Sequence, residues 1–135
     1  IAHCLGETRR QIAALAEEFR GVPVVLDHLG RAGQGTAAEY EEVLRLAKHP
    51  RTFMKFSGVR YSSKQDYPHD DVKPLVRRIY DAFGPERILW GGLGYNRADF
   101  ERNAALVDRL FDFAPEPARV KIRGENAARL YGFRR

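Results

Sequence analysis

The chain has 135 residues, of which 44% are apolar and 30% charged, and its formal net charge is +5. Lysine and arginine are interleaved with acidic residues, without a basic block or an aromatic–basic repeat, which argues against a nucleic-acid-binding protein. No apolar run approaches the roughly 20 residues of a membrane helix, and no signal peptide is visible. The single cysteine, Cys4, leaves no internal disulfide framework. We therefore expect a cytoplasmic globular protein without a nucleic-acid or membrane partner.

Strand and helix patterns alternate along the whole sequence, which is typical of βαβ units and a parallel sheet. Strands are predicted at residues 1–3, where only the carboxyl end of a strand is present, and at residues 24–27, 52–56 and 87–90. Helices are predicted from Thr8 to Gly21, from Thr36 to Pro50, from Asp70 or Asp71 to Gly84 and from Asn96 to Pro115, followed by two short helices that run to about Tyr131.

Several local signals support these boundaries. Thr36 with Glu39 has the spacing of a capping box, and Asn96 and Asp70 or Asp71 are predicted to cap their helices. In the first helix, four apolar residues stand at helical spacing and predict one apolar face. They are Ile12, Leu15, Ala16 and Phe19.

The stretch 23–30 carries the strongest pattern. A run of apolar residues follows Pro23 and stops at Asp27 and His28. Such a run predicts a strand buried on both faces, as in parallel sheets covered by helices. Ligands of these folds bind at the carboxyl ends of the strands. Asp27 and His28 are thus placed where chemistry is usually found, although a loop-capping role for Asp27 and simple packing of His28 stay open.

Other strand ends are also polar or glycine-rich: His3, Lys55 with Ser57, and Gly91 with Gly92. Imidazole and carboxylate groups suit zinc, manganese or iron, so two histidines and Asp27 can hold a divalent metal. Lys55 can polarise a carbonyl or bind a carboxylate, or it can face solvent or pair with a nearby acid. His49 and His69 lie in or beside loops and are expected to face water, with His69 as a candidate lid residue.

The glycine-rich loop from Gly30 to Thr36 shares some features with phosphate-binding loops. It follows a strand and opens a helix, which is the context of a phosphate cradle. It lacks the lysine of a P-loop and the dinucleotide spacing of glycines. A flexible loop is the simpler interpretation, and an anion-binding module is kept as an alternative.

Four segments carry a family resemblance. They occur in the same order as in the amidohydrolase-related family, the group that includes aminocarboxymuconate semialdehyde decarboxylases and pyrone-dicarboxylate lactonases. The sequence PVVLDHLG at 23–30 resembles the family's VVLDHLG stretch, MKFSG at 54–58 its VKLSG strand, FGPERILWG at 83–91 its FGPERLLWGSD segment, and NAARLYG at 126–132 its closing NAARLYG. The four segments span nearly the whole chain.

The resemblance implies an α/β fold, the C-terminal half of a (β/α)8 TIM-type barrel. It treats residues 1–135 as a single partial domain with an absent N-terminal half, which would carry the family's first metal-binding histidine pair. His3 falls where the family has a metal ligand, with zinc the first choice of divalent metal. His28 falls at the strand-six histidine. One departure weakens the metal assignment, because Leu93 stands where the family has a metal-binding aspartate that also serves as general base, and Asp99 is a poor substitute.

The resemblance therefore predicts an amidohydrolase-like enzyme that hydrolyses, decarboxylates or hydrates a small carboxylated or cyclic substrate. His28 is the predicted catalytic acid or base, and Lys55, Ser57 and Asp27 are predicted substrate contacts, with Asp27 orienting His28 or the loop. A non-catalytic barrel homologue, favoured by Leu93, and a small open-sheet α/β ligand-binding domain are the alternatives. A half barrel has two unpaired strand edges, so the missing half or a second copy is the expected protein partner.

Overall fold

The computed structural model describes residues 1–133 and builds them around a parallel sheet. The three strands are β1 (Val24–Leu26), β2 (Thr52–Phe56) and β3 (Ile88–Trp90). They are hydrogen-bonded in the order β1-β2-β3, and both pairs are parallel. Ala2 forms a parallel bridge with Leu26 on the other side of β1. The predicted strand end at residues 1–3 and the three predicted strands are thus confirmed.

Helices connect the strands and close the chain. They are α1 (Thr8–Glu18), α2 (Ala37–Arg45), α3 (Lys73–Phe83), α4 (Arg97–Leu110), α5 (Glu116–Val120) and α6 (Asn126–Tyr131). A short 3-10 turn at Leu46–Lys48 extends α2, and a π-helical turn at Lys121–Glu125 joins α5 to α6. Within residues 1–133, no helix combines the length and the apolar character that a bilayer crossing requires.

Two of the predicted helix caps are present. The Thr36 hydroxyl accepts from the backbone N–H of Glu39 while the Glu39 carboxylate accepts from the backbone N–H of Thr36, which forms the predicted capping box of α2. The Asn96 side chain accepts from the backbone N–H of Asp99 at 2.9 Å and caps α4. These caps satisfy donors that the first helical turn leaves free.

The predicted acidic cap of α3 is wrong. Val72 stands at the cap position, and Pro74 lies in the first turn, where it removes one of the N–H groups that needs a partner. The Asp70 carboxylate pairs instead with Arg109 of α4. The Asp71 carboxylate accepts from Ser63 and so holds the long loop that precedes α3.

The helices cover one face of the sheet. Leu26, Met54 and Ile88 are fully buried and pack with the apolar residues of the helices in one core. Because side chains alternate across a strand, Asp27 and Lys55 project from the opposite face. A parallel sheet with sequential strand order and helices on one face is the arrangement of a (β/α)8 barrel, whereas the order reverses in a doubly wound sheet.

Two predictions about burial are wrong. Leu15 and Phe19 are 52% and 50% exposed, although Ile12 and Ala16 of the same helix are buried. Within residues 1–133, α1 packs through a narrow face and nothing covers its other apolar side. His49, expected in water, is only 6% exposed. It lies just before β2, where its backbone carbonyl accepts from the Arg87 guanidinium.

The closing NAARLYG segment has a structural purpose. Asn126 lies at the start of α6, is 1% exposed and donates to the carbonyl groups of Pro85 and Ile88. It therefore ties the last helix to the beginning of β3. Arg129 adds a bond to the carbonyl of Glu86. Two of the four resembling segments are thus joined by hydrogen bonds.

Candidate functional site

The register of the sheet brings three polar residues into one row. Leu26 pairs with Met54, so the residues that follow them, Asp27 and Lys55, stand side by side beyond the core. His3 follows the bridge on the other side of β1 and enters the same row. The three side chains leave the sheet on the face that the helices do not cover. Sequence position alone thus places them at the carboxyl ends of the strands.

Asp27 is the centre of the cluster. It is only 6% exposed, and the Lys55 ammonium nitrogen lies 2.8 Å from its Oδ1 atom, off the direction of a well-aligned hydrogen bond. Burial raises the pKa of Asp27, but the contact with Lys55 and the charges of Lys55, His28 and His3 together lower it below its ordinary value. Asp27 is therefore a buried carboxylate that stays ionised at neutral pH.

His28 lies between Asp27 and Ser57. Its Nε2 atom is 3.2 Å from Oδ2 of Asp27, and its Nδ1 atom is 2.9 Å from Oγ of Ser57. An ionised carboxylate only accepts, so Nε2 carries the hydrogen and Nδ1 accepts from the serine hydroxyl. Burial is the main reason that the pKa of His28 lies below its ordinary value, with Lys55 opposing protonation and Asp27 favouring it. The imidazole is therefore neutral at pH 7 and presents a lone pair toward Ser57.

Two glycines make room for these side chains. A Cβ atom at Gly91 would lie 2.4 Å from Cε of Lys55, and one at Gly58 would lie 2.8 Å from Nδ1 of His28. Gly58 also has a φ of 59°, which disfavours other residues. Gly91 directly follows β3 and Gly58 is the second residue after β2, so the sequence leaves space at the strand ends where the functional side chains lie.

The backbone after Asp27 is strained. His28, Leu29, Gly30 and Arg31 all have positive φ values, between 46° and 65°. Such a run is costly for residues other than glycine. It is held by a hydrogen bond from the hydroxyl of Tyr40 to the carbonyl of Leu29 at 2.8 Å. The turn aims the His28 ring back over the end of β2, since a continued strand would carry it away from Ser57.

His3 lies at the edge of the cluster rather than in a metal site. Its Nδ1 atom is 2.8 Å from a guanidinium nitrogen of Arg31, and its Nε2 atom is 3.7 Å from Oδ2 of Asp27. In the part of the chain that is described, no three histidine, cysteine, aspartate or glutamate side chains are arranged to hold a metal ion. The metal-ligand role of His3 stays a prediction.

The glycine-rich loop does not form an open phosphate cradle. The carboxylate of Glu39 accepts from the backbone N–H of Thr36 at 2.7 Å, and a Cβ atom at Gly35 would lie 2.6 Å from the same carboxylate. A negative side chain thus stands where a phosphate would bind. The Ser62 hydroxyl donates to the carbonyl of Ala32 and holds the loop against the segment after β2.

Sequence reasoning missed two residues of the cluster. Arg31 contacts His3, and the ring of Tyr61 meets the His28 ring edge-on at a centroid distance of 5.6 Å. The left-handed turn at residues 28–31 brings Arg31 back to His3, and no residue pattern predicts such a turn. The candidates His28, Asp27, Lys55 and Ser57 are brought together as neighbours, and their catalytic and substrate-binding roles remain predictions.

Comparisons with known proteins agree with this arrangement. The amidohydrolase family profile matches residues 2–133. An L-fucono-1,5-lactonase of Burkholderia ambifaria is 29% identical over 133 residues, which are 89% of this chain and 45% of that protein. A D-galactarolactone isomerase of Agrobacterium fabrum is 36% identical over 116 residues, which are 79% of this chain and 39% of that protein.

A solved structure supports the fold. The crystal structure of an amidohydrolase from Burkholderia multivorans with bound zinc superimposes with a TM-score of 0.77 at 24% identity, covering 93% of this chain and 49% of that one. The chain spans about half the length of that structure and less than half of the two curated relatives. The predicted half of an amidohydrolase-type TIM barrel is confirmed, and the chain belongs to the amidohydrolase family.

Proposed function

We propose that the protein hydrolyses the lactone of a small sugar acid. Both curated relatives carry the name of a sugar-acid lactone, of fuconate in one case and of galactarate in the other. The observation that carries the proposal is the chain of contacts from Asp27 through His28 to Ser57 at the carboxyl ends of the strands. Catalytic groups of TIM-barrel enzymes lie at this end.

The proposed reaction begins with proton transfer to His28. A water beside Ser57 attacks the lactone carbonyl, its proton passes through the serine hydroxyl to Nδ1, and Asp27 stabilises the resulting imidazolium through Nε2–H. The carbon–oxygen bond to the ring oxygen then breaks, and His28 returns the proton to the departing alkoxide. The products are the open hydroxy acid and an unchanged enzyme, because His28 has returned the proton that it accepted.

Lys55 supplies the positive charge in this scheme. Its ammonium lies against Asp27, and we place the lactone carbonyl oxygen on its free side, where the charge stabilises the oxyanion that forms. The lysine stem is fixed by its passage over Gly91. A pre-positioned cation costs no reorganisation during the reaction.

The residues present fit a divalent metal poorly. The Lys55 ammonium already contacts the Asp27 carboxylate, and the Arg31 guanidinium lies beside His3, so two of the candidate ligands face cations. A further metal charge there would be repelled. Leu93, at the position where the resemblance calls for an acidic ligand, offers only its backbone carbonyl, which accepts from Asn103 at 2.6 Å. We derive no step through a metal.

A ligand-binding protein without catalysis is the second candidate. Leu93 favours it, because a leucine cannot accept a proton or bind a metal. In that case His28 and Lys55 would hold a carbonyl compound without converting it. Both candidates predict that the lactone binds to the protein, and only the first predicts that the lactone is converted to a product.

The test is a lactone hydrolysis assay on the full chain. Fuconolactone, galactonolactone and galactarolactone are supplied, proton release is followed with an indicator, and the products are identified by NMR. The proposal expects the open acid as product. An isomeric lactone or carbon dioxide as product would replace hydrolysis by another reaction, and binding without any product would establish the second candidate.

A further inference from the structure

A cavity adjoins the proposed catalytic cluster. Its volume is about 310 Å³, and Gly58, Tyr67, His69 and Asn103 are among its lining residues. Gly58 connects the two places, since it lines the cavity and leaves room for the Nδ1 side of His28. A substrate whose carbonyl lies at His28 can thus extend past Gly58 into the cavity.

Two arginines line this cavity, and each stacks on an aromatic ring. Arg102 lies over the ring of Tyr67 at 4.5 Å from its centroid, and Arg60 lies over the ring of Tyr61 at 4.9 Å. Neither guanidinium forms an ion pair with Asp66 or Asp99, the two carboxylates that line the cavity with them. Most other arginines of the surface have one, as Arg109 has Asp70.

The stacking prepares both groups for a planar anion. An aromatic face holds the guanidinium plane in place by a cation–π contact and leaves its N–H edge free. The planar fork of a guanidinium matches the two oxygens of a carboxylate. Arg60 donates to the hydroxyl of Tyr61 at 3.0 Å and also contacts the side chain of Tyr95, and a guanidinium has five N–H donors, so donors remain for a ligand.

Two aspartates limit the charge that the cavity accepts. Asp66 and Asp99 also line it, and Oδ2 of Asp99 accepts from the backbone N–H of Tyr95 at 3.2 Å. Two positive and two negative side chains favour a single carboxylate over a phosphate, which concentrates up to two negative charges on one small group. The carboxylates and the side chain of Asn103 are suited to hydroxyl groups, because a carboxylate accepts the hydrogen bonds that a polyol donates.

We propose that this cavity binds the free carboxylate and neighbouring hydroxyls of a lactone that carries a second acid group, which makes the monolactone of a sugar diacid the preferred substrate. The inference rests on the proposed function and deepens it by naming the substrate class. Arg102 and Arg60 bind the carboxylate, and Asp66 opposes it weakly through its charge.

The test compares two acids of equal chain length on the full chain. Calorimetry measures the binding of galactarate, with two carboxylates, and of galactonate, with one. We expect galactarate to bind about tenfold more tightly or better, the effect of one charge-assisted contact. Arg102→Met should remove that advantage, while Asp66→Asn should strengthen galactarate binding.

Matched variants keep the test decisive. Arg97→Met removes a charge from the same helix outside the cavity, where Arg97 pairs with Glu101, and should change nothing. Arg60→Met provides a second removal if Arg102→Met does not fold by circular dichroism. Equal binding of the two acids, displacement of galactarate by equimolar inorganic phosphate, or equal effects of Arg97→Met and Arg102→Met would overturn the proposal.

The two proposals fail separately. Hydrolysis of galactonolactone and galactarolactone with equal kcat/KM would refute the diacid preference and leave lactone hydrolysis standing. Binding of galactarate that depends on Arg102, without opening of any lactone, would support the cavity assignment and refute the hydrolysis.

Discussion

The side chain of Lys55 passes over Gly91, and a Cβ atom at Gly91 would lie 2.4 Å from the lysine Cε atom. The ammonium of Lys55, on β2, contacts the carboxylate of Asp27, which follows β1. Gly91 does not have a positive φ, so backbone conformation does not demand glycine there. Space for Lys55 is therefore the physical reason for the glycine at this strand end.

Replacement of Gly91 by alanine should act through Lys55. We expect Gly91→Ala to lower the free energy of unfolding by about 1 kcal/mol, because the lysine stem must move. In a Lys55→Ala background the added methyl group meets no stem, and its cost should fall to roughly zero. Urea melts of the four proteins measure this coupling.

Gly124→Ala is the control for that cycle. Nothing lies within 4 Å of a Cβ atom at Gly124, and alanine is favoured over glycine in a helical turn. This variant should be neutral or slightly stabilising. Equal costs of Gly91→Ala with and without Lys55 would show that the glycine is required for another reason.

Removal of the Lys55 charge should lower the free energy of unfolding, because the Asp27 carboxylate would then be buried without its cation. Lys55→Met keeps most of the stem and removes the ammonium, leaving a carboxylate that is 6% exposed without its main cation. We expect a loss of about 2 kcal/mol, below the value for fully buried pairs because the lysine side chain is 25% exposed. The double variant with Asp27→Asn should be more stable than Lys55→Met alone. The opposite order in urea melts would contradict the assigned pairing.

Stability should fall on mild acidification, and His28 should cause part of the fall. The pKa of His28 is lowered below 6.5 in the folded chain, so below that pH the unfolded chain binds more protons, which favours unfolding. The charged and titratable groups around the ring are Asp27, Lys55, Arg31 and His3.

The measurement is a set of urea melts at about pH 7.5 and about pH 5.5. The wild-type chain should lose more stability between them than His28→Asn does. A similar loss in both proteins would mean that other histidines cause it. Asp27, whose pKa is lowered below 3.8, contributes stability at higher pH that is lost as the pH falls through its folded pKa.

Zinc should bind weakly to this chain. The cations beside Asp27 and His3 occupy the approach to these ligands, so dialysis against micromolar zinc followed by elemental analysis should leave well under one ion per chain. Removal of metal with a chelator should leave the melting temperature unchanged. Stoichiometric zinc that disappears in His3→Ala would contradict this and restore His3 as a ligand.

The sequence predicted the sheet well for a physical reason. A buried parallel strand must be apolar throughout, so residues 24–26 and 88–90 stand out from their surroundings. The ends of the strands then locate Asp27, His28, Lys55 and Ser57 without any side-chain detail. The amphipathic face of α1 was less predictable, because Leu15 shows the right spacing and nothing in the described chain covers it.

Contacts between distant segments were beyond the sequence pattern. The left-handed turn at His28 aims the ring at Ser57, 29 positions away, and no pattern of residue types specifies that direction. The stacking of Arg102 on Tyr67 likewise depends on how the long loop folds back over α4. Loop conformations of this kind depend on tertiary packing, whereas a buried strand can be predicted from its own apolar residues.

The most direct test of the proposed chemistry is the rate of lactone opening by the wild-type full chain and by His28→Asn. The asparagine keeps a polar side chain of similar reach and cannot accept the proton at neutral pH. The account predicts kcat/KM lower by about 10²- to 10⁴-fold, with folding preserved by circular dichroism. A His28→Asn protein that opens lactones at the wild-type rate would contradict the role of His28 and with it the proposed mechanism.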